Sequence, residues 1–191
     1  ALGLMDEADD LLSEAQDLDP GWAAPVVERG WLAVQRSRLL GPVAGAVRGV
    51  DSLTLLGRAD QAMQVSDSSA GALELRGVIQ YELAEALGDG DRWRRAAEDD
   101  LTRAVRLEPR RAQALSYLGR ARRFAGDFSR ARSYAERAME VDAYLEEADQ
   151  VIDLLYSTNL ELKRWDEADR WCREGRRRYP HSLSFAFWIA S

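Results

Sequence analysis

The chain has 191 residues, 46% hydrophobic and 31% charged, with only 19 glycines and prolines together, which supports a substantial ordered core and excludes a disordered chain. A net charge of −7 weighs against a general nucleic-acid binder, because the phosphate backbone would be repelled on average. The single cysteine, Cys172, excludes an internal disulfide, the single histidine, His181, excludes a multi-histidine metal site, and no run approaches the roughly 20 apolar residues of a membrane span.

Apolar residues recur at helical spacing throughout, and no alternating run reads as a strand. Residues 3–18 are expected to form a helix with Leu4, Ala8, Leu11, Leu12 and Ala15 inward, stopped by Asp19-Pro20-Gly21. Residues 1–20 carry seven acids and no base, read as the solvated face of the second helix of a truncated repeat. The chain therefore reads as a piece cut from a longer protein.

A long repeat follows at 22–69. Its first helix covers 22–40, with Pro25 in the opening turn, and its second runs from about Asp51 to Val65. Between them, residues 41–50 (GPVAGAVRGV) are expected to be a long inter-helix loop or a frayed turn. Their glycines lack the Gly-Lys-Ser/Thr ending of a phosphate loop. The repeat at 70–109 has an extended turn, Gly88-Asp89-Gly90-Asp91, without the alternating ligands and closing glutamate of an EF-hand loop. Its second helix is expected to bury Trp93, Ala97, Leu101, Ala104, Val105 and Leu107.

Residues 112–145 give the clearest pattern, two helices joined at Ala125-Gly126-Asp127. The first presents Leu115, Leu118, Ala121 and Phe124 on one face, and the second presents Phe128, Ala131, Tyr134, Ala135, Ala138 and Val141. A lone pair of this length cannot bury both faces, so it is a module to be stacked. A further repeat covers 149–180, with Trp165 expected to plug its helix junction and Pro180 to close it. Residues 181–191 look like the start of a capping helix.

A pair of small residues seven apart, followed five later by Pro or a substitute, recurs. It appears as Ala8, Ala15, Pro20; Ala97, Ala104, Pro109; Ala131, Ala138, Ala143; and Ala168, Gly175, Pro180. Seven residues is two helical turns, so each pair lies on one stripe that a partner helix can approach closely. Gly30, Gly77 and Gly119 occupy matching places. With Leu115-x2-Leu118-Gly119 and Ala131, this pattern resembles the tetratricopeptide repeat (TPR). Leu115 stands for its tryptophan, Arg122 for its tyrosine and Ala143 for its proline. The resemblance implies an all-α, right-handed α-solenoid of antiparallel helix pairs over 1–191. The alanine- and arginine-rich repeats look like regions that accompany regulatory or catalytic domains in bacterial proteins, including Ser/Thr kinases.

Nothing in the sequence assembles a nucleophile, base and oxyanion donor, so no enzyme, cofactor or metal is expected. Cys172 reads as a buried structural thiol. In the TPR family the first helices of successive repeats line a groove that takes peptides or helices of partner proteins. Carried onto this chain, the groove would present Val27, Trp31 and Gln35; Glu74, Val78 and Tyr81; Ser116, Arg120 and Arg123; and Asp153, Ser157 and Leu160. The matching places hold none of the Lys and Asn with which the chaperone-binding branch grips a C-terminal carboxylate.

Residues 103–137 contain ten arginines against three acids, a net of +7, which suits an acidic segment, although many could simply pair with neighbouring helices. The expected function is a cytoplasmic protein-interaction scaffold. The alternative is a ligand- or peptide-sensing module that controls a linked effector domain. Replacing Arg120 and Arg123 together by glutamate is expected to abolish partner capture while leaving helicity and melting unchanged.

Overall fold

At Gly126 the backbone turns into the left-handed region, φ 76°, where a residue without Cβ carries no steric cost. Its N–H donates to the Arg123 carbonyl, and the next N–H, of Asp127, donates to Arg122 O, closing the end of one helix. Asp127 then caps the following helix, its carboxylate accepting from the Arg130 N–H at 3.1 Å. The helix–turn–helix expected at 112–145 is therefore formed as read.

The computed structural model describes residues 2–39, 47–66, 69–86, 90–182 and 185. Among these the regular structure is all helical: α1 (Leu2–Leu18), α2 (Ala23–Leu39), α3 (Val47–Val65), α4 (Ala70–Ala86), α5 (Gly90–Leu107), α6 (Ala112–Phe124), α7 (Phe128–Val141), α8 (Ala148–Glu161) and α9 (Trp165–Arg178). No helix of the described residues is long and apolar enough to cross a membrane. The chain divides into two compact units, residues 1–109 and 110–191.

In the first unit, α1 packs on α2, α2 on α3, and α4 on α2, α3 and α5. Helix α4 is buried almost all round, with Leu73, Leu75, Val78, Ile79 and Leu83 at 1% exposure or less. One apolar cluster joins Val34, Ala59, Leu75, Ile79 and Leu83, and a second joins Val26, Val27, Ala62 and Ala72. Trp31 packs against both. Charges stitch the same helices. Arg29 of α2 holds the Asp9 carboxyl of α1 below the usual carboxylate range and also bonds Gln16, and Arg36 pairs with Asp6. Part of the acidic face of α1 is thus committed to α2 rather than to water.

In the second unit, α6 pairs with α7 and α8 with α9, and α7 and α6 both meet α8. Ala131, Ala138 and Ala168 are essentially inaccessible, as are Ala97 and Ala104 of the first unit. The small-residue pairs of α5, α7 and α9 are buried as their spacing predicts, whereas Ala8 and Ala15 of α1 are only half-buried. Phe185 is also buried, stacked on Tyr179 with ring centroids 5.8 Å apart. The remainder of the expected capping helix, 183–184 and 186–191, lies outside the described residues.

Several expectations are corrected. Helix α3 begins at Val47, so 47–50 are helical rather than loop; Gly49 sits in the first turn, where its cost is tolerated, and 41–46 lie outside the described residues. Gly90 and Asp91 form the first turn of α5, while Gly88 and Asp89 lie outside the described residues. Leu107, Phe124 and Trp165 are 51%, 61% and 62% exposed instead of buried. Each stands at a helix end, beyond the reach of the partner helix whose middle the periodicity correctly places. Leu4 and Leu11 are also exposed, on the side of α1 away from α2. Cys172 is half-buried rather than enclosed.

Candidate functional site

Close approach of first and second helices fixes the faces left over for function. A Cβ added at Gly119 would lie 3.2 Å from the Ala131 carbonyl and 2.9 Å from Leu154 Cδ2, and one at Gly77 would lie 3.2 Å from the Ala97 carbonyl. In both units, then, the first helix rests a glycine on the leading alanine of the second. The residues expected to receive a partner stand beside that contact, three before, one after and four after each glycine: Glu74, Val78 and Tyr81 around Gly77, and Ser116, Arg120 and Arg123 around Gly119.

The twelve expected groove residues divide sharply. Val27, Glu74, Val78, Tyr81 and Ser116 are buried, at 5%, 5%, 0%, 4% and 0% exposure, and their side chains face the interior. The assignment of these five to a partner surface is corrected, because matching by repeat position fixes the angle around a helix but not what packs above it. Trp31 and Gln35 are half-buried, Trp31 as a bridge between two clusters.

In the second unit Arg120 is committed. Its guanidinium lies 4.7 Å over the Tyr117 ring and donates to Glu147 at 3.4 Å, while Tyr117 donates its hydroxyl to the same carboxylate at 3.1 Å. Arg120 therefore ties α6 to the start of α8. Replacing it by glutamate would set a carboxylate against nearly buried Glu147, so the expectation that melting stays unchanged in the Arg120/Arg123 double variant is corrected.

Arg123, Asp153, Ser157 and Leu160 remain accessible or half-buried on α6 and α8. Burial pushes the Asp153 carboxyl up, against the lowering pull of Arg123. Among the described residues no group donates a hydrogen bond to it. The Ser157 hydroxyl donates to the Leu154 carbonyl of its own helix at 3.2 Å.

Within the arginine-rich stretch, Arg130 pairs with Asp127, Arg132 with Glu136, and Arg137 lies over Tyr134. These three contacts run along their own helix or its cap, and not to the neighbouring helices expected from the sequence. Among the described residues no three metal-ligating side chains converge.

A feature the sequence reading missed lies on the second helices. Between α7 and α9 is a cleft of about 660 Å³, floored by Met139, Ala143 and Trp171 and walled by Arg170, Arg173 and Arg177. Its sequence signal was the three-and-four spacing of those arginines, overlooked in favour of the denser run before it.

The arrangement is similar to solved structures of repeat proteins. A thermophilic TPR protein of Thermus thermophilus, TTC0263, matches with a TM-score of 0.66 at 17% identity, over 97% of this chain and 89% of its own. The fold is a TPR-like helical repeat. PilF of Pseudomonas aeruginosa matches this chain with a TM-score of 0.62 at 17% identity, over 95% of this chain and 66% of its own. MamA from Desulfovibrio magneticus RS-1, from its residue 41 onward, matches with a TM-score of 0.60 at 14% identity, over 93% and 88%. No protein-family model matches the sequence, and no curated protein matches it. At these identities the likeness to these structures is one of fold alone.

Proposed function

We propose that this TPR chain is a non-enzymatic scaffold that holds an extended segment of a partner protein against the α6–α8 face. The observation that carries the reading is the neighbouring pair Arg123 and Asp153. An exposed guanidinium stands in the field of a half-buried carboxyl whose acceptor sites are unused among the described residues. A peptide supplies both complements, an acidic side chain for Arg123 and a backbone N–H for Asp153. Leu160 adds an apolar contact on the same helix.

Two features support a binding rather than a catalytic role. His181 is exposed in the turn after α9, and burial raises the Cys172 thiol, the reverse of what a nucleophile requires.

The test is selection of peptides from a displayed library against the chain, followed by titration of the selected peptides. Arg123→Glu is expected to weaken the best ligands tenfold or more and to discriminate against acidic ones, and Asp153→Asn to weaken them less. A thermal-shift screen of small metabolites run in parallel tests the sensing alternative, since only a ligand of the folded chain raises the melting point by mass action. Selected peptides indifferent to both substitutions would remove the face from consideration.

A further inference from the structure

The α6–α8 face presents its polar and apolar contacts in a fixed order. Asp153, Ser157 and Leu160 follow one another along α8 at steps of four and three, so they share one stripe. Asp153 and Leu160 lie two helical turns apart, about 10.5 Å. Arg123 stands in the field of Asp153 at the acidic end of the stripe, and among the described residues neither side chain makes a hydrogen bond or an ion pair. The Ser157 hydroxyl has its proton committed to the Leu154 carbonyl. At the other end stand two exposed aromatic rings. Phe124 closes α6 and Trp165 opens α9, 61% and 62% exposed. The α6–α7 and α8–α9 turns carry equivalent hydrogen bonds and, in antiparallel pairs whose first helices pack together, stand at the same end.

These contacts discriminate between backbone conformations of the segment that fills the face. A helical segment places residues seven apart at the right distance, but beyond its first turn its N–H groups are spent on its own carbonyls and leave Asp153 without a donor. In a β-strand the residues of one face recur at about 6.8 and 13.6 Å, which brackets the stripe without matching it. A polyproline-II chain has three residues per turn and rises about 3.1 Å per residue, so residues three apart share a face about 9.3 Å apart. Its N–H groups are unbonded within the chain, and proline-rich segments of this kind dock on aromatic side chains.

Resting on the reading of the α6–α8 face given above, we propose that its occupant is a polyproline-II segment with an acidic and a large apolar residue three positions apart. The acid pairs with Arg123, the N–H of the same residue donates to Asp153, and the apolar side chain covers Leu160. Proline between and beyond them fixes the conformation, and the segment past the apolar residue packs on Phe124 and Trp165.

Fluorescence anisotropy of labelled synthetic peptides against the whole chain tests this. One set carries a single glutamate and a single leucine, in both orders, two, three or four positions apart in a proline frame. A second set holds them seven apart in an alanine-rich helical frame. The spacing of three in the proline frame is expected to bind about tenfold tighter than any other, and Arg123→Glu to abolish that preference. Phe124→Ser with Trp165→Ser is expected to weaken the same peptide about fivefold or more, and circular dichroism verifies that the variant keeps its helices. Arg123-dependent binding that favours the helical frame, ignores the spacing or survives loss of both rings overturns the proposal and leaves the face a binding surface. Failure of every synthetic peptide to bind overturns it as well; if library-selected peptides are then also indifferent to Arg123→Glu and Asp153→Asn, the face itself is lost.

Discussion

Arg76 of α4 grips Asp100 of α5 with two arms, Nε to Oδ2 at 2.6 Å and Nη2 to Oδ1 at 2.8 Å. The Asp100 side chain is only 6% exposed, and the third nitrogen of Arg76 reaches Asp60 of α3 at 3.3 Å. One side chain thus joins three helices of the first unit. Removing the carboxylate would leave a guanidinium that is itself only 22% exposed with the more distant Asp60 as its carboxylate partner. Asp100→Ala is therefore expected to cost about 2–4 kcal/mol, somewhat below the loss for a fully buried pair. Urea unfolding of the variant measures it, and a loss within about 0.5 kcal/mol would show that the pair merely decorates the seam.

The glycines separate by what surrounds them. Gly119→Ala would push a methyl into the Ala131 carbonyl and Leu154, and is expected to destabilise by about 1–3 kcal/mol. At Gly57, inside α3, an added Cβ meets nothing within 4 Å. Gly57→Ala should stabilise by about 0.5–1 kcal/mol through helix propensity. Paired denaturation curves check both, and equal effects at the two positions would contradict the packing described.

Lys163 occupies in the α8–α9 turn the place that Gly126 holds in the α6–α7 turn, at φ 57°. The hydrogen bonds are equivalent: Lys163 N–H to Leu160 O and Arg164 N–H to Asn159 O. A lysine there carries the left-handed penalty, and Arg164 offers no side-chain cap to α9. Lys163→Gly is expected to raise stability by about 0.5–1 kcal/mol net of unfolded-state entropy. Adding Arg164→Asp, to copy Asp127, should contribute about 1 kcal/mol more. A lower melting temperature in the double variant would count against the equivalence of the turns.

Glu174 is held by Arg177, at 2.8 and 3.0 Å, and by Arg178 at 2.6 Å, which lowers its pKa from 4.5 to about 2. A carboxyl depressed by folding contributes fully above its unfolded pKa and loses that contribution as pH falls towards its folded one. The stability gap between the wild type and Glu174→Gln should therefore be constant at neutral pH, narrow below pH 4.5 and close near pH 2. Denaturant midpoints across that range provide the measurement. A gap independent of pH would mean that the arginines do not hold the carboxylate.

How far the sequence could be read follows from which contacts are local. Gly126 and the alanine pairs were legible because a turn and a two-turn stripe are fixed within a few residues of chain. The partner-face residues were only partly legible. Ser116 and Arg120 sit in matching repeat positions with Asp153 and Ser157, yet Ser116 is sealed and Arg120 is bound to Glu147. What covers a residue on an exposed helical angle is set by loops and neighbours remote in sequence, and these leave no period behind.

The sequence by itself determined that this protein is a series of stacked helix pairs, because short-range backbone geometry and the spacing of small side chains admit little else. Only the tertiary structure decided which side chains remain available. It consumed Arg76, Arg120 and Trp31 in holding helices together, left Arg123 beside a half-buried Asp153, and opened a cleft between α7 and α9. Burial and charge pairing depend on distances across the fold, and those distances exist only once the helices have packed.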